Sequence, residues 1–215
     1  MVGHAPVAAT RTRYVVGLGL GLPLAVFIYV GADVLLTGHV ASDGAATRLV
    51  DRAVSRAAPP SGGALLLEHA NLAGLLVLTG VTLTLLLAAT LRAALFWATA
   101  VGAVFLLDPL LKAVFARPGI GVGEYSFPSG SALFSAVAVA AIAYLVPTSR
   151  LHVVIAAAGA GVCFAVGAAV VYVDWHYPSD VVAGWAFGLA WTTAVWLAYS
   201  RRAHVARRTA SARSG

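Results

Sequence analysis

The fold class follows from one apolar stretch, residues 151–173, which reads LHVVIAAAGAGVCFAVGAAVVYV. It contains no Asp, Glu, Lys or Arg, and it reaches the ~20 apolar residues that a helix needs to cross the hydrocarbon core of a bilayer. The rest of the chain has the same character: 60% of its residues are hydrophobic, 10% are charged, and its mean hydropathy is +0.90. Soluble domains carry about a quarter of charged residues, so the sequence predicts an integral membrane protein.

Other apolar stretches have the length of a membrane span, which gives six predicted helices in one bundle. In chain order they are Tyr14 to Leu36, Leu65 to Leu91, Ala93 to Ala116, Ser129 to Val146, Leu151 to Val173 and Asp180 to Tyr199. The polar segment from Thr37 to Gly63 predicts a short interfacial helix between the first two spans. We therefore expect an all-α membrane domain over residues 1–200 and a basic, disordered cytoplasmic tail over residues 201–215.

The distribution of charge predicts how the bundle is oriented. With the N-terminus in the cytoplasm, nine of the fourteen Lys and Arg residues fall on the cytoplasmic side, and all eight acidic residues fall toward the outer face. The nine are Arg11, Arg13, Arg92, Arg150, Arg201, Arg202, Arg207, Arg208 and Arg213. We expect a multi-pass cell-membrane protein with both termini in the cytoplasm. Because the basic residues flank apolar spans, their pattern indicates membrane topology, and we expect no nucleic acid as a partner.

Polar residues gather where three predicted helices meet the outer face. Lys112 and Arg117-Pro118 stand where the third helix ends, Ser126 to Ser131 open the fourth, and Asp174 to Asp180 open the sixth. Ionisable groups at the edge of a membrane bundle are costly, so they usually line a site or pair with each other. We predict that the three segments form one extracytoplasmic site.

The first two segments have the chemistry of a phosphate site. Residues 128–131 lead into a helix, whose unpaired N–H groups and positive dipole end can hold an anion. The alternative is an ordinary N-cap by one of the two serines. Lys112 and Arg117 can contact phosphate oxygens, although Lys112 can instead extend to the interface with Asp108 as its salt partner.

The third segment has the chemistry of an activated nucleophile. His176 and Asp180 are four residues apart, so in a first helical turn the carboxylate can accept from one imidazole nitrogen and orient the other for attack. A lone interfacial histidine is usually structural, but the carboxylate at this spacing favours a functional role. No metal-ligand spacing joins the histidines, and the single cysteine offers neither a disulfide nor a Cys-based metal site.

Together these motifs resemble the three-part signature of the type 2 phosphatidic acid phosphatase superfamily, which includes lipid phosphate phosphatases and haloperoxidase-like proteins. Its parts here are Lys112 with Arg117-Pro118, Phe-Pro-Ser-Gly at 127–130 and His-Tyr-Pro-Ser-Asp at 176–180. The resemblance implies that His176 attacks phosphorus to form a phosphohistidine, that Asp180 orients it, and that no metal or other cofactor is needed. It also implies a set of phosphate-binding residues, namely Lys112, Arg117, Ser129, Gly130 and Ser131.

The chain departs from this signature at three places. Gly119-Ile120 stands at the later of the two common Arg-Pro positions, and Ala169-Val170 stands where the third motif has Ser-Arg. Ser131 replaces the histidine that protonates the leaving group. Glu124, Tyr125 and Asp174 are candidates for taking over that proton transfer, but the sequence does not place them.

These departures leave two functions open. The first is a membrane phosphatase for a lipid phosphate or diphosphate of the phosphatidate or polyprenyl diphosphate type. Loss of a general acid costs ~10²- to 10⁴-fold and matters most for an alkoxide leaving group, so we expect diphosphates, which leave as a phosphate, to be preferred. The alternative is a catalytically inactive family member that binds or carries a phospholipid or polyprenyl headgroup. Either function has membrane lipids as partners, and the sequence carries no signal for an oligomeric state.

Overall fold

The computed structural model describes residues 15–57, 80, 82, 90–120, 123–146 and 149–213. Within these ranges the regular structure is helical, apart from one isolated β-bridge between Pro118 and Tyr125. A π-helical stretch, Val15–Gly21, continues directly into the first α-helix. The α-helices are α1 (Leu22–Thr37), α2 (Asp43–Ala57), α3 (Leu91–Gly102), α4 (Val104–Phe115), α5 (Gly130–Leu145), α6 (Ser149–Tyr172) and α7 (Pro178–Arg213).

Four helical segments in the described part of the chain are long and apolar enough to cross a membrane, and α5 is a shorter apolar helix. The four are Val16–Thr37, Leu91–Phe115, Val153–Tyr172 and Pro178–Arg201. The prediction of an all-α membrane bundle with an interfacial segment after the first span is confirmed. The predicted span from Leu65 to Leu91 lies almost entirely outside the described residues.

The interfacial segment is the helix α2. The chain turns toward it at Gly38, whose φ of +74° is a left-handed conformation that glycine adopts without steric cost. Arg48, Leu49 and Arg52 are exposed on α2, whereas Asp43 at its start is buried. A helix with basic and apolar side chains on its exposed surface suits the boundary between lipid headgroups and acyl chains. It packs on α6 and α7, so its first residue lies close to the polar ends of these helices.

The predicted third helix is divided into α3 and α4, which meet at Ala103. Thr90 caps α3, because its side chain accepts a hydrogen bond from the N–H of Ala93. The helix α4 ends at Ala116, which has a left-handed φ of +46°. This turn directs Arg117 away from the helix axis and into the bundle, where its side chain is buried.

The helix α5 lies in the centre of the bundle, packed on α3, α6 and α7. Its apolar residues, such as Leu133 and Val137, form a buried cluster with Phe96 and Trp97 of α3. Two glycines of α7 allow a very close approach: a Cβ on Gly184 would lie 2.6 Å from the Ser129 carbonyl oxygen, and one on Gly188 would lie 2.8 Å from that of Leu133. Small residues let membrane helices pack backbone to backbone. The start of α5 is thereby fixed against the first turns of α7.

The chain after residue 200 differs from the prediction of a disordered tail, because α7 continues without a break to Arg213. Residues 201–213 are rich in Ala and Arg, which have high helix propensity, and they contain no Gly or Pro. They extend a helix that is already formed in the membrane, so the free-energy cost of nucleating a new helix does not arise. Low hydrophobicity alone was therefore a poor guide to the conformation of this segment.

Candidate active site

The loop between α4 and α5 folds back so that its two ends are neighbours. The N–H of Ser126 donates to the carbonyl of Arg117 at 3.0 Å, and the N–H of Gly119 donates to the carbonyl of Glu124 at 3.0 Å. Gly119 has no room for a side chain, because a Cβ there would lie 2.5 Å from the carbonyl oxygen of Gly123. The loop therefore brings the end of the first polar segment beside the start of the second.

Arg117 is the centre of a buried polar network. Its side chain is 1% exposed, and Nη1 donates to Oδ1 of Asp180 at 2.5 Å and to Oγ of Ser179 at 2.8 Å. Nη2 donates to Oδ2 of Asp43 at 2.8 Å. The guanidinium carbon lies 3.9 Å from the ring centroid of Tyr177, a cation–π contact. Both terminal nitrogens of Arg117, a predicted phosphate ligand, are thus bound to carboxylates, while its Nε has no hydrogen-bond partner among the described residues.

Asp43, which sequence reasoning did not single out, connects the surface helix α2 to this network. Its carboxylate accepts from the backbone N–H of Ser179 at 2.9 Å and from the Ser179 hydroxyl at 2.8 Å, in addition to Arg117. The side chain is nearly buried, with 9% exposed. Asp43 is 136 residues from Ser179 along the chain, so no local spacing pattern can reveal this contact.

His176 is held by a backbone carbonyl. Its Nδ1 lies 2.9 Å from the carbonyl oxygen of Ser126 and 3.7 Å from Oδ2 of Asp180. A carbonyl oxygen only accepts hydrogen bonds, so Nδ1 carries the hydrogen and Nε2 of the neutral ring carries the lone pair. Oδ2 of Asp180 accepts instead from the N–H of Tyr177 at 3.0 Å. The expected pair of His176 and Asp180 lies close together, with Ser126 supplying the nearer acceptor.

The start of α5 keeps two amide groups open. Ser129 caps the helix, because its Oγ accepts from the N–H of Ala132 at 3.5 Å. The N–H of Ser129 itself donates to the carbonyl of Asp180 at 3.0 Å. Among the residues that the structure describes, the N–H groups of Gly130 and Ser131 have no acceptor, as expected at a helix N-terminus. We refer to these two amides as the anion cradle.

Lys112 is linked to the cradle through Asp108. Its Nζ lies 3.2 Å from Oδ2 of Asp108, and about a quarter of each side chain is exposed. The Asp108 carboxylate lies directly against Gly130, because a Cβ on this glycine would be 2.7 Å from Oδ1. The predicted close approach at Gly130 is therefore made by a side chain of the protein. Lys112, Arg117, the cradle and His176 lie on helix ends that meet in one region.

A sequence profile of the PAP2 superfamily matches residues 93–204, which is more than half of the chain. The chain belongs to the PAP2 superfamily. The structure is similar to the crystal structure of the first transmembrane PAP2 type phosphatidylglycerolphosphate phosphatase from Bacillus subtilis, with a TM-score of 0.61 and 21% sequence identity. This match covers 80% of the present chain and 93% of the other, and it supports a shared fold. No curated protein matches the sequence.

The structure also shows what this PAP2 chain has at the positions of the missing Ser-Arg pair. Val170 is 4% exposed and belongs to a buried apolar cluster, while its carbonyl accepts from the N–H groups of Trp175 and His176 at 3.0 and 3.3 Å. Asp174 makes this turn possible with a left-handed φ of +56°. Position 170 therefore supports the backbone of His176 and offers no cation to a phosphate.

Proposed function

We propose that this PAP2 protein is a membrane phosphatase that hydrolyses lipid phosphates or diphosphates through a phosphohistidine on His176, at the extracytoplasmic face. The observation that carries this proposal is the 2.9 Å contact between Nδ1 of His176 and the Ser126 carbonyl. This contact favours a hydrogen on Nδ1, and it supports Nε2 as the nucleophilic nitrogen. Ser126 lies three residues before Ser129, so the imidazole is held on the loop that leads into the cradle.

The charges around His176 favour the positive ring that forms during attack. Arg117, Asp43 and Asp180 together contribute one positive and two negative charges to a buried cluster. Oδ2 of Asp180 lies 3.7 Å from Nδ1, close enough to stabilise the imidazolium electrostatically. Asp180 thus acts on the charge of the ring, and Arg117 acts as a positioning residue for Asp180.

The phosphate oxygens are bound by groups with complementary charge. The amides of Gly130 and Ser131, the positive end of α5 and the ammonium group of Lys112 stabilise the negative charge of the transferred phosphoryl group. The P–N bond to Nε2 forms as the bond from phosphorus to the lipid oxygen breaks. Water then hydrolyses the phosphohistidine to release phosphate and restore the free imidazole. The protein groups supply positioning and electrostatic stabilisation, which dominate phosphoryl transfer.

One observation favours the alternative of an inactive headgroup-binding protein. The terminal guanidinium nitrogens of Arg117 are bound to Asp43 and Asp180, and position 170 is an apolar valine. Lys112 is then the one cation near the cradle among the described residues. A cradle with a single cation can bind an anionic headgroup without stabilising a transition state strongly enough for turnover.

A phosphate-release assay on the purified protein in detergent micelles tests this proposal. Phosphatidate and a polyprenyl diphosphate are offered as substrates to the wild type, to His176→Ala and to His39→Ala. His39 is an exposed histidine just after α1 whose ring bonds only to the backbone of Thr37, which makes it a matched control. We expect release by the wild type and His39→Ala and none by His176→Ala.

A ³²P-labelled substrate adds a direct test of the intermediate. Label trapped on the wild-type protein by rapid denaturation is expected to be labile to acid, stable to alkali and absent from His176→Ala. Equal release by the wild type and His176→Ala would disprove the phosphohistidine route. Substrate binding without release by the wild type would establish the headgroup-binding alternative.

A further inference from the structure

Asp108 places a carboxylate against Gly130, one of the two residues of the anion cradle. Its Oδ1 would lie 2.7 Å and its Oδ2 3.1 Å from a Cβ on Gly130, so only glycine at this position leaves room for the carboxylate. Oδ2 is paired with Lys112 at 3.2 Å. The Asp108 side chain extends from α4 to the first residue of α5, so it forms part of the surroundings of the cradle.

The second oxygen of this carboxylate has no partner. Oδ1 of Asp108 is buried and makes no hydrogen bond within the part of the chain that the structure describes, whereas both carboxyl oxygens of Asp43 and of Asp180 accept hydrogen bonds. An unsatisfied buried polar atom is costly, and a carboxylate inside a membrane span is retained mainly where it has a function. Oδ1 therefore has an unused hydrogen-bonding position next to the start of α5.

Ester cleavage at this site needs a proton donor, and the other candidates are poorly suited. Ser131 has only a neutral hydroxyl group, which is a weak acid. Glu124 and Asp174 are exposed, and no side-chain contact joins them to the cradle. The Glu124 carboxylate raises the pKa of Tyr125 by accepting a hydrogen bond from its phenol and by its charge, which makes Tyr125 a weaker acid.

We propose that Asp108 is the general acid of the reaction, an inference that rests on the proposed phosphohistidine function. The reaction uses the protonated form of this carboxyl group, whose proton comes from solvent before the ester is cleaved. As Nε2 of His176 bonds to phosphorus and the ester P–O bond breaks, the proton on Oδ1 passes to the departing lipid oxygen. The lipid alcohol leaves, and Asp108 becomes a carboxylate.

The same group then serves the second step as a general base. The carboxylate of Asp108 accepts a proton from water as the water oxygen bonds to phosphorus. The P–N bond breaks, its electron pair returns to Nε2 of His176, and inorganic phosphate is released. Asp108 is again protonated, so the cycle consumes only the ester and water. With this acid present, phosphate monoesters are substrates as well as the diphosphates that the sequence favours.

The test measures how activity depends on the leaving group. Asp108→Asn is expected to lower kcat by about 100-fold or more on phosphatidate, whose leaving group is an alkoxide. It is expected to lower kcat by less than about tenfold on nitrophenyl phosphate and on polyprenyl diphosphate, because these leaving groups need little protonation. Asp51→Asn, at a carboxylate of α2 with no side-chain contact to the site, is the matched control and is expected to retain wild-type rates.

Asp108→Glu covers the case in which Asp108→Asn does not fold. It keeps an acid but moves it by one methylene, so phosphatidate activity is expected to fall more than nitrophenyl phosphate activity. Equal losses on both substrates in either variant, or a gain on both, would overturn the role of Asp108. A loss of phosphatidate activity alone in Asp174→Asn, and not in the Asp108 variants, would also overturn the role of Asp108. His176→Ala is assayed before any Asp108 variant. If it retains wild-type activity, the phosphohistidine proposal is wrong independently of Asp108.

Discussion

Nη2 of Arg117 lies 2.8 Å from Oδ2 of Asp43, and both side chains are buried where the surface helix α2 meets the ends of α6 and α7. Through this pair a helix at the lipid boundary reaches the same guanidinium that binds Asp180. The polar network of the candidate active site therefore includes a residue outside the region that the PAP2 profile matches, which begins at residue 93. The position of Asp180 depends on how α2 is docked.

Replacing Asp43 is expected to destabilise the protein and to slow catalysis. Asp43→Asn leaves the buried Arg117 with a single carboxylate partner, and breaking one side of a buried ion pair typically costs ~3–5 kcal/mol. Thermal unfolding in detergent, together with kcat and KM, measures both effects; we expect kcat to fall more than KM rises. Asp51→Asn on the same helix is the control. Equal unfolding temperatures and kinetic constants in the two variants would contradict a link between Asp43 and the position of Asp180.

Asp180→Asn separates the charge of the carboxylate from the orientation of His176. The Ser126 carbonyl remains, so we expect Nδ1 to keep its hydrogen, which ¹⁵N chemical shifts of labelled histidine report directly. Turnover is expected to fall by about 100-fold, because the developing imidazolium loses a stabilising charge. A switch of the hydrogen to Nε2 in this variant would show that Asp180, and not Ser126, sets the tautomer.

The orientation in the membrane is tested by labelling with an impermeant maleimide. In a Cys163→Ser background, a cysteine at the exposed position Ala41 is expected to react in intact cells, because the charge distribution predicts that this loop lies outside. A cysteine appended after Gly215 is expected to react only after the cells are lysed. Labelling of the appended cysteine in intact cells would mean that the opposite orientation is correct.

The bundle and the three polar segments could be predicted because each leaves a local signal: a long apolar run, or a motif within a few residues. Asp43 leaves no such signal, because its partners lie 74 and 136 residues away and only the docking of α2 brings them together. The Ser126 carbonyl was also missed, since a backbone group has no identity in a sequence. The break at Ala103 and the helical tail depended on how the neighbouring helices pack and extend.

The role of Asp108 shows the same limit in another form. The sequence identifies its i,i+4 relation to Lys112, which suggests an ordinary salt bridge. Its contact with Gly130 depends on the crossing of α4 and α5, and the spacing along the chain says nothing about that crossing. Assigning a function to such a carboxylate therefore requires knowing which residues of the neighbouring helix it contacts.

Close packing of α5 and α7 gives the last prediction. A methyl group on Gly184 would lie 2.6 Å from the Ser129 carbonyl oxygen, a backbone atom that cannot move without shifting the cradle. Overpacking of this kind typically costs ~1–3 kcal/mol, so Gly184→Ala is expected to lower the unfolding temperature in detergent and to reduce turnover. Gly188→Ala meets the Leu133 carbonyl at 2.8 Å, one turn farther from the cradle. It is expected to lose similar stability but to keep more activity.

Gly161 in α6 supplies the control for both variants, because no described atom lies within 4 Å of its Cβ position. Gly161→Ala is expected to match or slightly exceed wild-type stability, since alanine has the higher helix propensity. The comparison separates packing from propensity, because all three substitutions add the same methyl group to a helix. If Gly184→Ala keeps both stability and turnover, the contact between α7 and Ser129 does not determine the geometry of the cradle.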